Sequence, residues 1–189
     1  MKESFWRKPF TIGLVGVLVG VAGVFLVAGG IEATNTESFC ISCHEMRENV
    51  YSEYKDSVHD TNRTGVRATC PDCHVPKTLG PKLAVKIAAS SELLGHFMGK
   101  IDTREKFEQH RYTMARSVWD KMRATDSREC RGCHNAEKMS PDVQSVTAQK
   151  KHAAGKAQGL SCIDCHFGIA HNEPDGPNPI ELRAQAVRQ

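Results

Sequence analysis

Aromatic residues are scarce in this sequence: Phe, Trp and Tyr make up 6% of its 189 residues. Aromatic side chains bring the most buried area per residue to a core, so this core needs another source of bulk. A strong charge of one sign is also missing. Twenty-five basic residues against 22 acidic leave a formal charge of +3, which gives no basic patch of the kind that grips nucleic acid. Nor is there a spare cysteine. All eight Cys fall into four copies of one pattern, and that excludes an ordinary disulfide framework.

The pattern is C-x-x-C-H. Its copies are Cys40-Ile-Ser-Cys43-His44, Cys70-Pro-Asp-Cys73-His74, Cys130-Arg-Gly-Cys133-His134 and Cys162-Ile-Asp-Cys165-His166. Structural zinc also uses C-x-x-C pairs, but it needs no His directly after each second Cys. C-x-x-C-H reads as c-type haem attachment. Two thiols one turn apart form thioethers to the two vinyl groups of one porphyrin, and the adjacent His lies against the iron as an axial ligand. Four haem c groups then supply the missing bulk. Their propionates turn the loaded protein acidic, so most Lys and Arg read as solvated or as propionate partners. The length suits one or two small domains.

One long apolar run is present. Phe10 to Ile31 holds 22 residues without a charge, about 33 Å as a helix and enough to cross a bilayer. Lys2, Arg7 and Lys8 precede it, whereas Glu32 and Glu37 follow. The positive-inside rule therefore puts the N-terminus in the cytoplasm and the remainder in the periplasm. A cleaved signal peptide has a shorter apolar core, usually about 7–15 residues, although Ala28-Gly29-Gly30 is small enough to suit a peptidase. Gly16 and Gly20 form a G-x-x-x-G pair of the sort that can dimerise helices.

The motifs are unevenly spaced. His44 to His74 is 30 residues, His74 to His134 is 60 and His134 to His166 is 32. Each close pair encloses one further histidine, His59 or His152, so the chain reads as a duplicated two-haem unit. Four haems take up to eight axial ligands. His44, His74, His134 and His166 supply the first four, and His59 and His152 are the leading distal candidates. His171 follows His166 by five residues; it cannot reach the far face of the same haem, but it can reach a neighbouring one. His96 and His110 lie outside the repeat, and His110 shares a helical face with Phe107, Met114 and Val118. Met46, two residues after His44, is the alternative to His44 on the first haem, because thioethers also ligate haem iron.

Residues 75–129 read as mainly helical. Leu83, Ile87, Leu93, Leu94, Phe97 and Met98 form an apolar face accompanied by Lys77, Lys82 and Lys86. That face either packs over haems or lies on a membrane surface. Asp102-Thr103 marks a helix start, with Phe107, Met114, Val118 and Met122 on its buried side. After His171 the chain reads as an irregular tail, with no regular structure expected over its last ten residues.

The sequence resembles the NapC/NirT family of membrane-anchored tetrahaem c-type cytochromes, which includes the NrfH subunits, and is nearest to its NapC members. The likeness covers nearly the whole chain. It rests on the anchor, on Ser38-Phe-Cys-Ile-Ser-Cys-His-Glu-Met46, on the run from Arg63 to Lys77 and on Ile101-Asp-Thr-Arg-Glu-Lys-Phe107. Asp126-Ser-Arg-Glu-Cys-Arg-Gly-Cys-His134 and Cys162-Ile-Asp-Cys-His-Phe-Gly-Ile-Ala-His171 complete it. The resemblance implies a quinol dehydrogenase that passes electrons from menaquinol or ubiquinol, near the first haem, to a periplasmic reductase, foremost nitrate reductase. A nitrite or N-/S-oxide reductase is the alternative acceptor. It implies that Met46 matches a Met that ligates the first haem in NrfH-type members, and that Asp102 lies beside that haem's open face. It also makes His59, His171 and His152 distal ligands of the third, second and fourth haems. Some relatives carry a His where this chain has Lys77.

Taken together, the expected fold is mainly α with much irregular structure. One N-terminal transmembrane helix carries a haem-packed multihaem cytochrome c domain built from two dihaem halves. The boundaries are 1–9 (cytoplasmic), 10–31 (anchor), 32–100 (first half with a membrane-proximal helix), 101–129 (connecting helix), 130–175 (second half) and 176–189 (tail). Quinol oxidation releases two protons, and the acceptor candidates are Asp102 first, then Glu92, Lys82 and Lys86. Reduction of the terminal substrate by this chain itself is not expected. A terminal reductase with an open haem and a non-catalytic membrane anchor are the rival classes.

Overall fold

The computed structural model describes residues 7–186 and 188, and for Arg7 the backbone alone. Lys2, one of the charges used to orient the anchor, lies outside the described residues. Among those described there is no β-strand.

Helix α1 spans Arg7–Ala33, about 40 Å at 1.5 Å per residue. Its apolar stretch is long enough to cross a membrane and is not buried against the rest of the protein. The helix ends where the Thr34 hydroxyl turns back to donate to the Gly30 and Ile31 carbonyls at 3.0 and 3.1 Å. Only residues 34–36 separate it from α2, Glu37–Cys40. The Thr36 hydroxyl caps α2 by accepting from the Phe39 amide.

A π-helical turn, Met46–Tyr51, follows and runs into α3, Ser52–Tyr54. Helix α4, Cys70–His74, holds the whole second motif. It opens on a capping box in which Thr69 and Asp72 satisfy each other's backbone groups, and such a box sets the entry angle of a helical turn. The same device recurs in α9, Cys162–Cys165, with Ser161 and Asp164. The shared Thr/Ser-Cys-x-Asp-Cys-His pattern thus carries its own folding signal.

The insert is helical, as expected. Helix α5, Leu79–Phe97, ends in a Schellman motif. Gly99 adopts φ +62, its amide donates to the His96 carbonyl and the Lys100 amide to that of Gly95; glycine reaches this left-handed conformation without a side-chain clash. Helix α6, Arg104–Ala124, is capped by Thr103. Its deepest side chains are Phe107 and Trp119. Met114, Val118 and Met122 are only half-buried, so the expected face was right but its centre, Trp119, went unrecognised. Trp119 meets Tyr112 and Phe167 edge-on, with ring centroids 6.3 and 5.8 Å apart.

Helix α7, Arg128–Arg131, follows, and α8 is Val146–Ala157. The tail is not irregular throughout. Helix α10, Pro179–Ala186, starts on Asn178, whose amide and side-chain carbonyl exchange bonds with Glu181 at 3.0 Å each. Asn-Pro-x-Glu is a legible helix start, and it was overlooked among the prolines. Pro179 is fully buried, and Arg183 ties the helix to the Gln158 and Gly159 carbonyls.

The helices pack around the motifs. Helix α2 meets α4, α4 meets α7, and α9 sits against both α6 and α10. Buried apolar side chains among the described residues are few: Tyr54, Phe107, Trp119 and Ile163. Ion pairs bridge the rest. Arg123 of α6 reaches the fully buried Asp164 at 2.7 Å. Arg111 holds Glu53 with both guanidinium nitrogens, at 2.7 and 2.6 Å, and also the Asn172 carbonyl at 2.8 Å. The Asn172 amide returns a bond to Glu53 at 3.0 Å. This cluster joins the first half, α6 and the chain beside His171. Burial opposes ionisation of Glu53, but the bonds from Arg111 and the Asn172 amide outweigh it and hold the carboxyl below its usual range.

Removing one partner of a buried pair strands the other. Arg111→Met is expected to lower the unfolding free energy by about 3 kcal/mol, read from the denaturant midpoint of the purified protein. Adding Glu53→Gln should recover a good part of the loss; no recovery would mean that the pair is not what joins the halves.

Candidate functional site

Each motif histidine faces one other imidazole. His134 and His59 have ring centroids 6.0 Å apart, His74 and His171 6.3 Å, and His166 and His152 6.0 Å. His44 faces His96 at 6.5 Å. With a metal–nitrogen bond of about 2 Å and a ring radius of about 1 Å, two imidazoles in trans on one iron stand about 6 Å apart, centroid to centroid. The donor set therefore fits four six-coordinate haems.

The nitrogen partners fit as well. A metal-bound His donates its other ring N–H to an acceptor, which fixes the tautomer and the ring. Nδ1 of His171 lies 3.1 Å from the Val50 carbonyl and Nδ1 of His152 2.7 Å from the side-chain oxygen of Gln144. Nδ1 of His59 is buried without a partner. In both His59 and His171 burial pushes the ring pKa down, which favours the neutral imidazole that binds a metal. His110, by contrast, bonds the Lys106 carbonyl of its own helix at 2.9 Å.

The two halves interlock. His59 belongs to the first half and faces a histidine of the second; His171 belongs to the second and faces a histidine of the first. The cysteines are just as close across motifs. The Cys40 and Cys70 side chains are near enough to share a hydrogen bond. Cys73 lies within electrostatic reach of Cys130 and Cys133, and Cys130 of Cys162. The four attachment sites thus follow one another in sequence order.

The first site differs from the others. Its histidine opens a helical run rather than closing one, and Met46 begins the π-helical turn, a feature that is often found at functional sites. His44 and Met46 are both exposed, while Glu45 between them is buried. The Glu45 carboxylate lies 2.6 Å from Nδ1 of His96 and 3.4 Å from Nε2 of His44. Burial opposes its ionisation, yet its own backbone amide, His96 and His44 together hold its pKa below the usual range. Sequence reasoning missed this buried carboxylate. Its only signal was a Glu directly after the motif together with a histidine that the repeat left over.

The proposed proton acceptors do not form one cluster. Lys82 and Lys86 of α5 come together at the end of α1, on Glu32 at 2.8 Å and on the Thr34 carbonyl at 2.6 Å. Asp102 pairs with Lys106 at 2.6 Å. That pairing first, and the neighbouring His44 last, holds its carboxyl below the usual range. Glu92 is exposed on α5.

Comparison with known proteins agrees with the motifs. The model of the NapC/NirT cytochrome c family, N-terminal region, matches residues 2–176. The denitrification system component NirT of Stutzerimonas stutzeri is 54% identical over 176 residues, covering 90% of this chain and 88% of NirT. The cytochrome c-type protein NapC of Escherichia coli is 52% identical over 177 residues, covering 91% and 88%. A protein of Allochromatium vinosum described as a tetraheme cytochrome-c type is 47% identical over 173 residues, covering 90% and 94%. No solved structure matches. With four haem-attachment motifs in place and a family match that spans nearly all of it, the chain belongs to the NapC/NirT cytochrome c family and is a haem c electron-transfer protein.

Proposed function

We propose that this chain takes electrons from membrane quinol at its first motif and delivers them from its fourth to a periplasmic reductase. The observation that carries the reading is the order of the sites. The first motif begins just past the end of α1, and the attachment cysteines then meet in the sequence 40/70, 73/130, 130/162. Bound haem supplies one-electron carriers that accept and hand on charge.

The chain's own residues supply the rest. Cysteine pairs fix each porphyrin, and His59, His171 and His152 complete the second faces opposite His134, His74 and His166. Lys82 and Lys86 pin α5 to the foot of the anchor, where Leu93, Leu94, Phe97 and Met98 stay exposed and a lipid-soluble donor can be reached. Asp102, near His44, is the first candidate to receive a quinol proton. The charge pattern across α1 favours a cytoplasmic N-terminus and a periplasmic haem domain.

Nitrate reductase is the acceptor we favour, on the likeness to NapC. The equally strong likeness to NirT, a denitrification component, supports a nitrite reductase as the second reading. Protein reconstituted in liposomes with a quinol should reduce purified nitrate reductase. Transfer to nitrite reductase alone would select the second reading, and failure to accept electrons from quinol at all would sink the proposal.

Two further outcomes are expected. The intact mass should exceed that of the polypeptide by four haem groups, and Cys162→Ala with Cys165→Ala should remove one of them. Asp102→Asn should slow quinol-driven reduction by about 10²-fold or more, the usual scale of a lost acid–base group, while reduction by dithionite is unchanged. An unchanged quinol rate would remove Asp102 from the proton path.

A further inference from the structure

The fourth histidine pair differs from the other three in where its second member comes from. His59, His152 and His171 each lie within or beside a two-haem unit. His96 comes instead from the last turn of α5, in the insert. Its position is fixed from two sides. The Schellman turn at Gly99 takes the His96 carbonyl as one of its two acceptors, so the end of α5 is set at that residue. A β-carbon on Gly99 would come 2.8 Å from an Asp102 carboxylate oxygen, so the turn admits little but glycine.

The ring then faces the first motif. Its centroid is 6.5 Å from that of His44, against 6.0 to 6.3 Å in the other pairs. Nδ1 is engaged by Glu45 at 2.6 Å, which leaves Nε2 as the free nitrogen. Glu45 is 3% exposed and its second oxygen has no partner. A buried carboxylate is costly unless it is matched with a cation or a strong donor, and the donor it has found is the ring N–H of His96. A carboxylate behind an imidazole is the arrangement that orients a metal-bound histidine and raises its basicity. Cys43, Glu45 and His96 also bring their ligand atoms within 4.8 Å of one another, which places His96 at the attachment site itself.

We infer that His96 is an axial ligand of the iron held by the first motif, binding through Nε2, with Glu45 as the positioning residue behind it. The inference rests on the reading that this motif carries haem. It departs from the open face at Asp102 that the family resemblance implies, because it fills that coordination position from α5. Both faces of the first iron are then occupied by the protein, with His44 or Met46 opposite His96. A donor must therefore deliver electrons at the porphyrin edge and not at the metal.

The test compares the detergent-purified holoprotein with His96→Gly and Glu45→Gln. Haem content is measured first as the pyridine haemochrome; fewer than four haems per chain in the unmodified protein would count against the reading of the motifs, separately from the inference. With four present, His96→Gly should convert one ferric haem of four from low to high spin by electron paramagnetic resonance and resonance Raman. Added imidazole should restore the low-spin signal, which a merely misfolded variant would not do. Glu45→Gln should keep all four haems low-spin and raise the midpoint potential of one. If the spin state is untouched by His96→Gly, or the first haem is already high-spin in the unmodified protein, the assignment is wrong.

Discussion

The arrangement of this protein turns on pairs of imidazoles held face to face by a polypeptide that has little core of its own. Four buried apolar side chains among the described residues cannot fix eight histidine rings. Short capped helices, buried ion pairs and backbone acceptors do that instead. Thr69–Asp72 and Ser161–Asp164 set the pitch of two attachment turns. The Glu53–Arg111–Asn172 cluster seats the segment that bears His171, and Val50 aligns its ring. Polar organisation of this kind is directional. It specifies where a ring points, which a greasy core would leave looser.

Much of this was legible in the sequence, because the signals were chemical and local. Four C-x-x-C-H motifs, one uncharged run and a Thr-capped helix at Thr103 each follow from a few adjacent residues. The repeat also singled out His59 and His152. It could not say which motif each one faces, because that depends on how the halves pack and not on spacing. Trp119 was missed for a related reason: its burial comes from Phe167 and Tyr112, which no local pattern joins to it. The α10 cap was legible and was passed over because three prolines and a glycine nearby read as disorder. Glu45 is the harder case. A glutamate beside a motif ordinarily faces solvent, and only the return of α5 closes over it.

The first site is the one where electrostatics and coordination meet. Asp102 and Glu45 both bear on His44, and both carboxyls are held ionised, one by a lysine and the other by a histidine. Anions beside a metal centre stabilise its oxidised form. At the entry to an electron relay that disfavours storage of charge and favours passing it on. Meanwhile Lys82 and Lys86 anchor α5 to the end of α1, so the same helix that carries His96 is fastened to the membrane segment.

The crossing of the halves has a consequence for how the protein is made. On the proposed ligation, His74 depends on a residue 97 positions later in the chain, and His134 depends on one already exported long before it. A chain emerging on the far side of a membrane can receive its haems one at a time, but it cannot finish coordinating them in that order. The second site stays half-made until the last motif has passed through. Maturation then ends like the closing of a clasp, in which one late segment completes an early one, and a chain truncated anywhere before His171 would leave the middle of the relay unfinished as well as its end.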